Sequence, residues 1–155
     1  MRQKKAIVSA CLLGEYVRYD GTTKEDLSVI EALKDYNIIP FCPEDPIMGT
    51  PRERISVIKI EGKYKVFTDE SQIEITSALK LQVQKILAEY SDADLIVLKS
   101  KSPSCGLGTT PILNGNKIEI ERGNGIAATL FVEHFGATVV DEHTLGVYLK
   151  HLVES

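Results

Sequence analysis

Cysteine is the residue type in this chain with the most chemistry to offer, and it occurs three times, as Cys11, Cys42 and Cys105. An odd count in a chain that reads as cytoplasmic does not make a disulfide framework. The choice lies between inert thiols packed as small hydrophobes and thiolates that bind a metal or attack a substrate. Position decides between them. Cys11 lies in the apolar run Lys5–Leu13, Cys42 ends the run Asn37–Cys42, and Cys105 stands in the loop Lys99–Gly108 that leaves the run Ala93–Leu98. If these runs are strands of one parallel sheet, their C-terminal ends share an edge, and open α/β sheets bind ligands outside that edge. Three unrelated buried cysteines would have no reason to share that placement.

Three thiolates suit a soft metal, either zinc or an iron–sulfur cluster. Structural zinc asks for four protein ligands, usually with Cys-x2-Cys pairs, and the chain has no such pair. His134, His143 and His151 each fall in or beside a predicted late helix, away from the strand ends. Three cysteines without a fourth ligand fit a cubane cluster with one iron left open. An open iron is a Lewis acid and binds sulfur, which points to chemistry and away from electron transfer.

The neighbours of the cysteines agree with this. Gly106 and Gly108 would let backbone amides approach a cluster closely. Ser100, Ser102 and Ser104 place hydroxyls beside Cys105, and Glu44 follows Cys42 closely enough to serve as general base or to hold a substrate N–H. Arg18, Asp20 and Arg52 sit in strand-end loops, where they would bind an anionic substrate or pair with acids. Gly123-Asn124-Gly125 precedes a helix and resembles a phosphate-binding turn, but without a full G-x-G-x-x-G motif it reads as a helix-capping turn instead.

The elements that must position these groups follow from periodicity. Lys5–Leu13 is a continuous apolar run, the pattern of a strand covered on both faces. Leu27, Ile30, Ala32 and Leu33 predict a helix over Lys24–Tyr36 with Thr23 as N-cap. Cys42–Glu53, with three prolines, is a shaped loop. Ile55–Ile60 and Tyr64–Phe67 predict a hairpin, and Ile75, Leu79, Val83, Ile86 and Leu87 an amphipathic helix over Ser71–Tyr90. Beyond Gly108 comes a polar loop, then a helix over Gly125–Phe135, a fourth strand over Ala137–Val140 and a closing helix over Thr144–Val153. The alternation implies right-handed crossovers. The expected fold class is therefore α/β, a three-layer, mostly parallel sheet with helices on both faces, Rossmann-like, with one inserted hairpin.

A length of 155 residues, 43% of them hydrophobic and 26% charged, suits a single domain over residues 1–155 with a real core. The net charge of -4 gives no basic footprint, so no nucleic-acid partner is expected, whereas a nucleobase or nucleoside as small-molecule substrate fits. The basic stretch Met1–Lys5 precedes a run too short to span a bilayer and lacks a cleavage site, so the expected location is cytoplasmic, with no membrane partner. Nothing in the sequence speaks to oligomeric state.

Taken together, several blocks resemble a known family. They are Val8-Ser9-Ala10-Cys11-Leu12-Leu13-Gly14 with Val17-Arg18-Tyr19-Asp20-Gly21, then Cys42-Pro43-Glu44, Pro51-Arg52, Ser102-Pro103-Ser104-Cys105-Gly106 and Gly123-Asn124-Gly125-Ile126-Ala127-Ala128. In this order they resemble the thiouracil desulfidases. The resemblance implies that Cys11, Cys42 and Cys105 ligate a 4Fe-4S cluster with one iron not ligated by protein. It further implies desulfuration of a thiolated nucleobase such as 2-thiouracil, or of a similar small thioamide. No net redox change is involved: sulfur passes to the open iron, water replaces it on carbon, and hydrosulfide leaves. Glu44 and Ser102 would be catalytic, with Ser104 and Arg18 binding substrate. The chain departs from the family at Asp45-Pro46-Ile47-Met48-Gly49, where Gly-Gly is usual, and at Ser77-Ala78, where Gly-Ala is usual. These departures bear on the substrate more than on the metal. Two other readings stay open: a cysteine-based thiol or persulfide transferase without a cluster, and a non-catalytic cluster-binding module.

Overall fold

The computed structural model describes residues 3–134 and 138–154. In chain order the elements are β1 (Lys5–Ser9), a 3-10 turn (Ala10–Leu13), α1 (Leu27–Ala32), β2 (Asn37–Phe41), α2 (Asp45–Met48), β3 (Ile55–Ile60), β4 (Lys63–Thr68), α3 (Thr76–Glu89), β5 (Leu95–Leu98), β6 (Thr110–Leu113), β7 (Glu119–Gly123), α4 (Ile126–His134), β8 (Thr138–Asp141) and α5 (Leu145–Glu154). The predicted helix end at Phe135 and strand start at Ala137 lie outside the described residues, as do Met1 and Arg2.

The apolar runs do form one parallel sheet, in the order β2-β1-β5-β8. All four residues of β5 are buried, as continuous hydrophobic strands covered on both faces require. Pro40 interrupts β2 without harm because β2 is the edge strand, where a missing ladder donor is tolerated. From β1 the chain moves outward to β2, then crosses back to β5 and continues to β8, so its direction reverses between β1 and β5. Such a reversal opens a crevice at the C-terminal ends of the strands, where ligands of open α/β sheets bind.

Helices cover both faces of this sheet. Val29 and Leu33 of the α1 region and Leu145 of α5 pack on Ala6, Val8, Leu95 and Val97. On the other face Val83 of α3 and Ala127, Ala128 and Phe131 of α4 pack on Ile7, Ile39, Ile96 and Leu98. Phe131 also meets Phe41 edge-on, with ring centroids 5.5 Å apart. The predicted hairpin is present as β3 and β4, but it belongs to a larger unit. Where a polar loop was expected, β6 and β7 form a second hairpin, and the two hairpins join through parallel pairing of β3 with β6. The resulting sheet, β4-β3-β6-β7, lays Ile55, Val57, Val66 and Ile112 against Ile75, Leu79 and Ile126, on the far side of α3 and α4. It adds a fourth layer to the expected three.

Local differences have simple causes. The first strand stops at Ser9, because residues 10–13 turn and Gly14, at φ +92°, caps them by donating to the carbonyls of Ala10 and Cys11. The N-cap of α1 is Asp26, which accepts from Val29 N–H at 3.2 Å. Thr23, expected in that role, instead donates its hydroxyl to the Cys11 carbonyl at 2.8 Å. The proline-rich loop carries the single helical turn α2. Among the described residues no helix is long and apolar enough to cross a membrane.

Candidate metal centre and acid–base site

Each cysteine is delivered by the end of a strand. Cys11 lies in the turn after β1, Cys42 directly follows β2, and Cys105 lies in the loop leaving β5. All three line one cavity of about 550 Å³ at the C-terminal edge of the parallel sheet, beside the reversal point. Burial pushes all three thiols up, Cys11 to about 11, and the thiols influence one another: Cys42 raises both Cys11 and Cys105. Among the described residues, no three His, Cys, Asp or Glu side chains form a set for one metal ion. A single tetrahedral zinc needs every sulfur about 2.3 Å from one centre. A cubane asks only that each thiolate reach its own iron, which suits three donors on separate strand ends around a shared space.

Glu44 stands in the same wall and is buried. One carboxylate oxygen, Oε2, accepts the Ser104 hydroxyl at 2.7 Å, and Oε1 faces Nε of Arg52 at 3.4 Å. The Arg52 side chain is itself almost fully buried and gives three further donors to the carbonyls of Val17 and Gly49 and to the Thr50 hydroxyl. It therefore ties Glu44 to the loop that carries Arg18. Ser102 Oγ accepts from the amides of Ser104 and Cys105 and lies 3.3 Å from Ser104 Oγ. Since Ser104 gives its only proton to Glu44, Ser102 is the donor between the two hydroxyls. The result is a directed chain from Ser102 through Ser104 to the Glu44 carboxylate. Ser104 Oγ also lies 3.6 Å from Cys105 Sγ, which couples the chain to the cysteine.

Arg18 lines the cavity beside Tyr19, whose ring lies 5.8 Å from the Arg18 guanidinium and 4.7 Å from that of Arg54. Asp20 is not part of the lining; its carboxylate accepts from the amide and hydroxyl of Thr22. The three histidines also lie outside it.

The glycines serve a different purpose from the one expected. Gly106 N–H donates to the Ser102 carbonyl and Gly108 N–H to Asn124 Oδ1, so both amides are used within the loop. Gly106 is required for packing, because a Cβ there would fall 2.2 Å from Thr110 Oγ1. Gly125 meets backbone instead of side chain: its Cβ would lie 2.5 Å from the Ser104 carbonyl carbon and 2.7 Å from the Cys105 nitrogen. The turn before α4 caps on this loop, with Gly125 N–H donating to Gly106 O and Ala127 N–H to Ser104 O, both at 2.8 Å.

Sequence reasoning passed over Lys99 and Glu142. Lys99 lines the cavity directly after β5, and Glu142 directly after β8 pairs with it at 3.0 Å. The strand-end rule that located the cysteines would have found Glu142 had it been applied to the fourth strand.

The chain as a whole is similar to known proteins. The family model for 2-thiouracil desulfurase matches residues 6–143. YbbK of Bacillus subtilis (strain 168), a protein of uncharacterised function, is 29% identical over 152 residues, covering 90% of this chain and 96% of its own. Among solved structures, the 4Fe-4S-dependent thiouracil desulfidase TudS matches with a TM-score of 0.75 and 32% identity, over 98% of this chain and 99% of that one. The likeness spans nearly the whole chain, and the chain is an enzyme of the 2-thiouracil desulfurase family.

Proposed function

We propose that this enzyme removes sulfur from 2-thiouracil or a similar small thioamide, without net redox change, and releases hydrosulfide. Cys11, Cys42 and Cys105 hold a 4Fe-4S cluster in which one iron has no protein ligand. The observation that carries the reading is the opening of three strand-end thiols onto one cavity whose wall also holds a hydroxyl chain ending on a carboxylate. When bound, such a cluster supplies a Lewis-acidic iron with affinity for sulfur.

The protein's own groups do the rest. Ser102 is the least buried member of the chain that ends on Glu44, so it is the hydroxyl that meets substrate or water. A proton taken at Ser102 Oγ, on the lone pair that the longer 3.3 Å bond from the Ser104 amide gives up, passes to Ser104 Oγ as the Ser104 proton moves to Glu44 Oε2. Arg52 fixes the rotation of the carboxylate, so Oε2 stays aimed at Ser104. Arg18 and Ser104 contribute to binding, Arg18 as a half-buried and Ser104 as a buried part of the same lining. A positioned base of this kind contributes on the order of 10²–10⁴-fold in rate.

The same geometry speaks against a cysteine nucleophile. A reactive thiol needs a lowered pKa and access to solvent, whereas burial raises all three here and Cys105 is 4% exposed. A module that only stores a cluster would have no use for the chain ending on Glu44.

The test is protein purified without air. The wild type should bind about four irons per chain and release hydrosulfide from 2-thiouracil. Any single cysteine-to-alanine change should abolish stable cluster binding. Full cluster loading in Cys105→Ala would overturn the ligand assignment, and an iron-free wild type would overturn the function.

A further inference from the structure

We infer that Lys99, clamped by Glu142 and Ser100, forms a subsite for a small sulfur anion on the Cys11 side of the cavity, where it holds the departing hydrosulfide. The inference rests on the proposed desulfidase reading and extends it to the path of the product.

The clamp is built from two strand ends. Lys99 follows β5 and Glu142 follows β8, so the neighbouring strands carry the cation and the acid to the same place. Lys99 Nζ donates to Glu142 Oε2 at 3.0 Å and to the Ser100 carbonyl at 2.7 Å. Glu142 also accepts the Ser100 amide at 2.7 Å on Oε1 and the Ser100 hydroxyl at 3.0 Å on Oε2. Its side chain is 7% exposed and that of Lys99 20% exposed, so the pair is a fixed arrangement and not a mobile surface contact. The Lys99 amide is tied as well, to Ser9 Oγ at 2.9 Å.

An ammonium has three donors. Two of them make the short bonds above, and the third makes the longest of the three, to Ser100 Oγ at 3.3 Å, a hydroxyl whose own proton goes to Glu142. That donor, held in the weakest of the three bonds, is the one an anion arriving in the cavity would take over. The bond of the Lys99 amide to Ser9, two residues before Cys11, places Lys99 on that side of the cavity that both residues line. A latch between strand ends would work equally well with its cation turned outward, but this one lines the cavity that holds the thiols. Glu142 acts through Lys99 and is a positioning residue.

The experiment titrates sulfide, and separately bromide, into anaerobic cluster-loaded protein and reads the change in the cluster's absorption and magnetic resonance spectra. Lys99→Gln should weaken sulfide binding about tenfold, the size expected for loss of one unit charge near a partly desolvated site. Lys99→Arg should restore most of it, and Lys101→Gln, which removes an exposed cation from the same lining, should leave it near wild type. Lys99→Met, which keeps the aliphatic stem, replaces Lys99→Gln if that variant is unstable. Equal sulfide affinity in wild type and Lys99→Gln at matched iron content overturns the subsite alone, as does an equal loss in Lys101→Gln. A wild type that holds no cluster overturns the functional reading and the subsite together.

Discussion

Strand β5 buries every one of its residues, LIVL, between two helix layers, whereas β7, EIERG, buries none. The parallel sheet to which β5 belongs connects its strands through helices, so all four strands leave it at the same edge and can send loops to one point. The second sheet is built from hairpins, which return each chain end to the opposite edge. It reaches the cavity only through Arg54 and Ile55, at the start of β3. The contrast separates two tasks: the buried sheet gathers reactive groups, and the half-covered sheet closes the apolar flank of α3 and α4.

This division can be broken most decisively at Glu44. Glu44→Gln keeps the size of the side chain and removes the base, so hydrosulfide release should fall by roughly 10²–10⁴-fold while the cluster's absorption stays unchanged. Wild-type turnover at equal cluster loading would remove Glu44 from the chemistry.

A second consequence of gathering thiols at one buried edge appears when metal is absent. Burial holds the proton on Cys11 up to about 11, against about 9 for an ordinary thiol. The folded state therefore keeps a proton that the unfolded chain gives up first. That stability is complete below about pH 9 and is lost as pH climbs through 11, on the order of 1 kcal/mol for this thiol at pH 10. Denaturant midpoints of metal-free protein at pH 8 and pH 10 measure it. Cys11→Ala should show a smaller fall than wild type, and an identical fall would mean that other groups cause it.

The smallest effect belongs to the second sheet. Ile112→Val removes one methylene from a fully buried position in β6 and should cost about 0.5–1.5 kcal/mol. Denaturation should register this, while hydrosulfide release per cluster stays unchanged. A loss of turnover at full loading would show that the second sheet also shapes the site.

The same contrast explains what could be read from the sequence. Runs such as KAIVS and LIVL announce themselves because both faces are buried, and their ends located all three cysteines and Glu44. The second hairpin was invisible for the opposite reason. Its apolar residues Ile118 and Ile120 are 60% and 50% exposed, and Pro111 sits within β6, so neither alternation nor a continuous run appears. Asn114-Gly115 at its turn was the available signal. Thr23 was misplaced as a cap because its hydroxyl has a competing partner, the Cys11 carbonyl, that only the tertiary fold supplies. Roles at Gly106 and Gly108 failed likewise, since which acceptor an amide meets depends on segments distant in sequence.

Gly125 carries a consequence for inheritance. It does not line the cavity, yet a single added carbon there would press on the backbone of Ser104 and Cys105. A side chain is therefore excluded at a position that offers no chemistry, because the space it leaves empty seats the backbone that carries a thiol. A survey of tolerated variation that looked only at reactive side chains would overlook it.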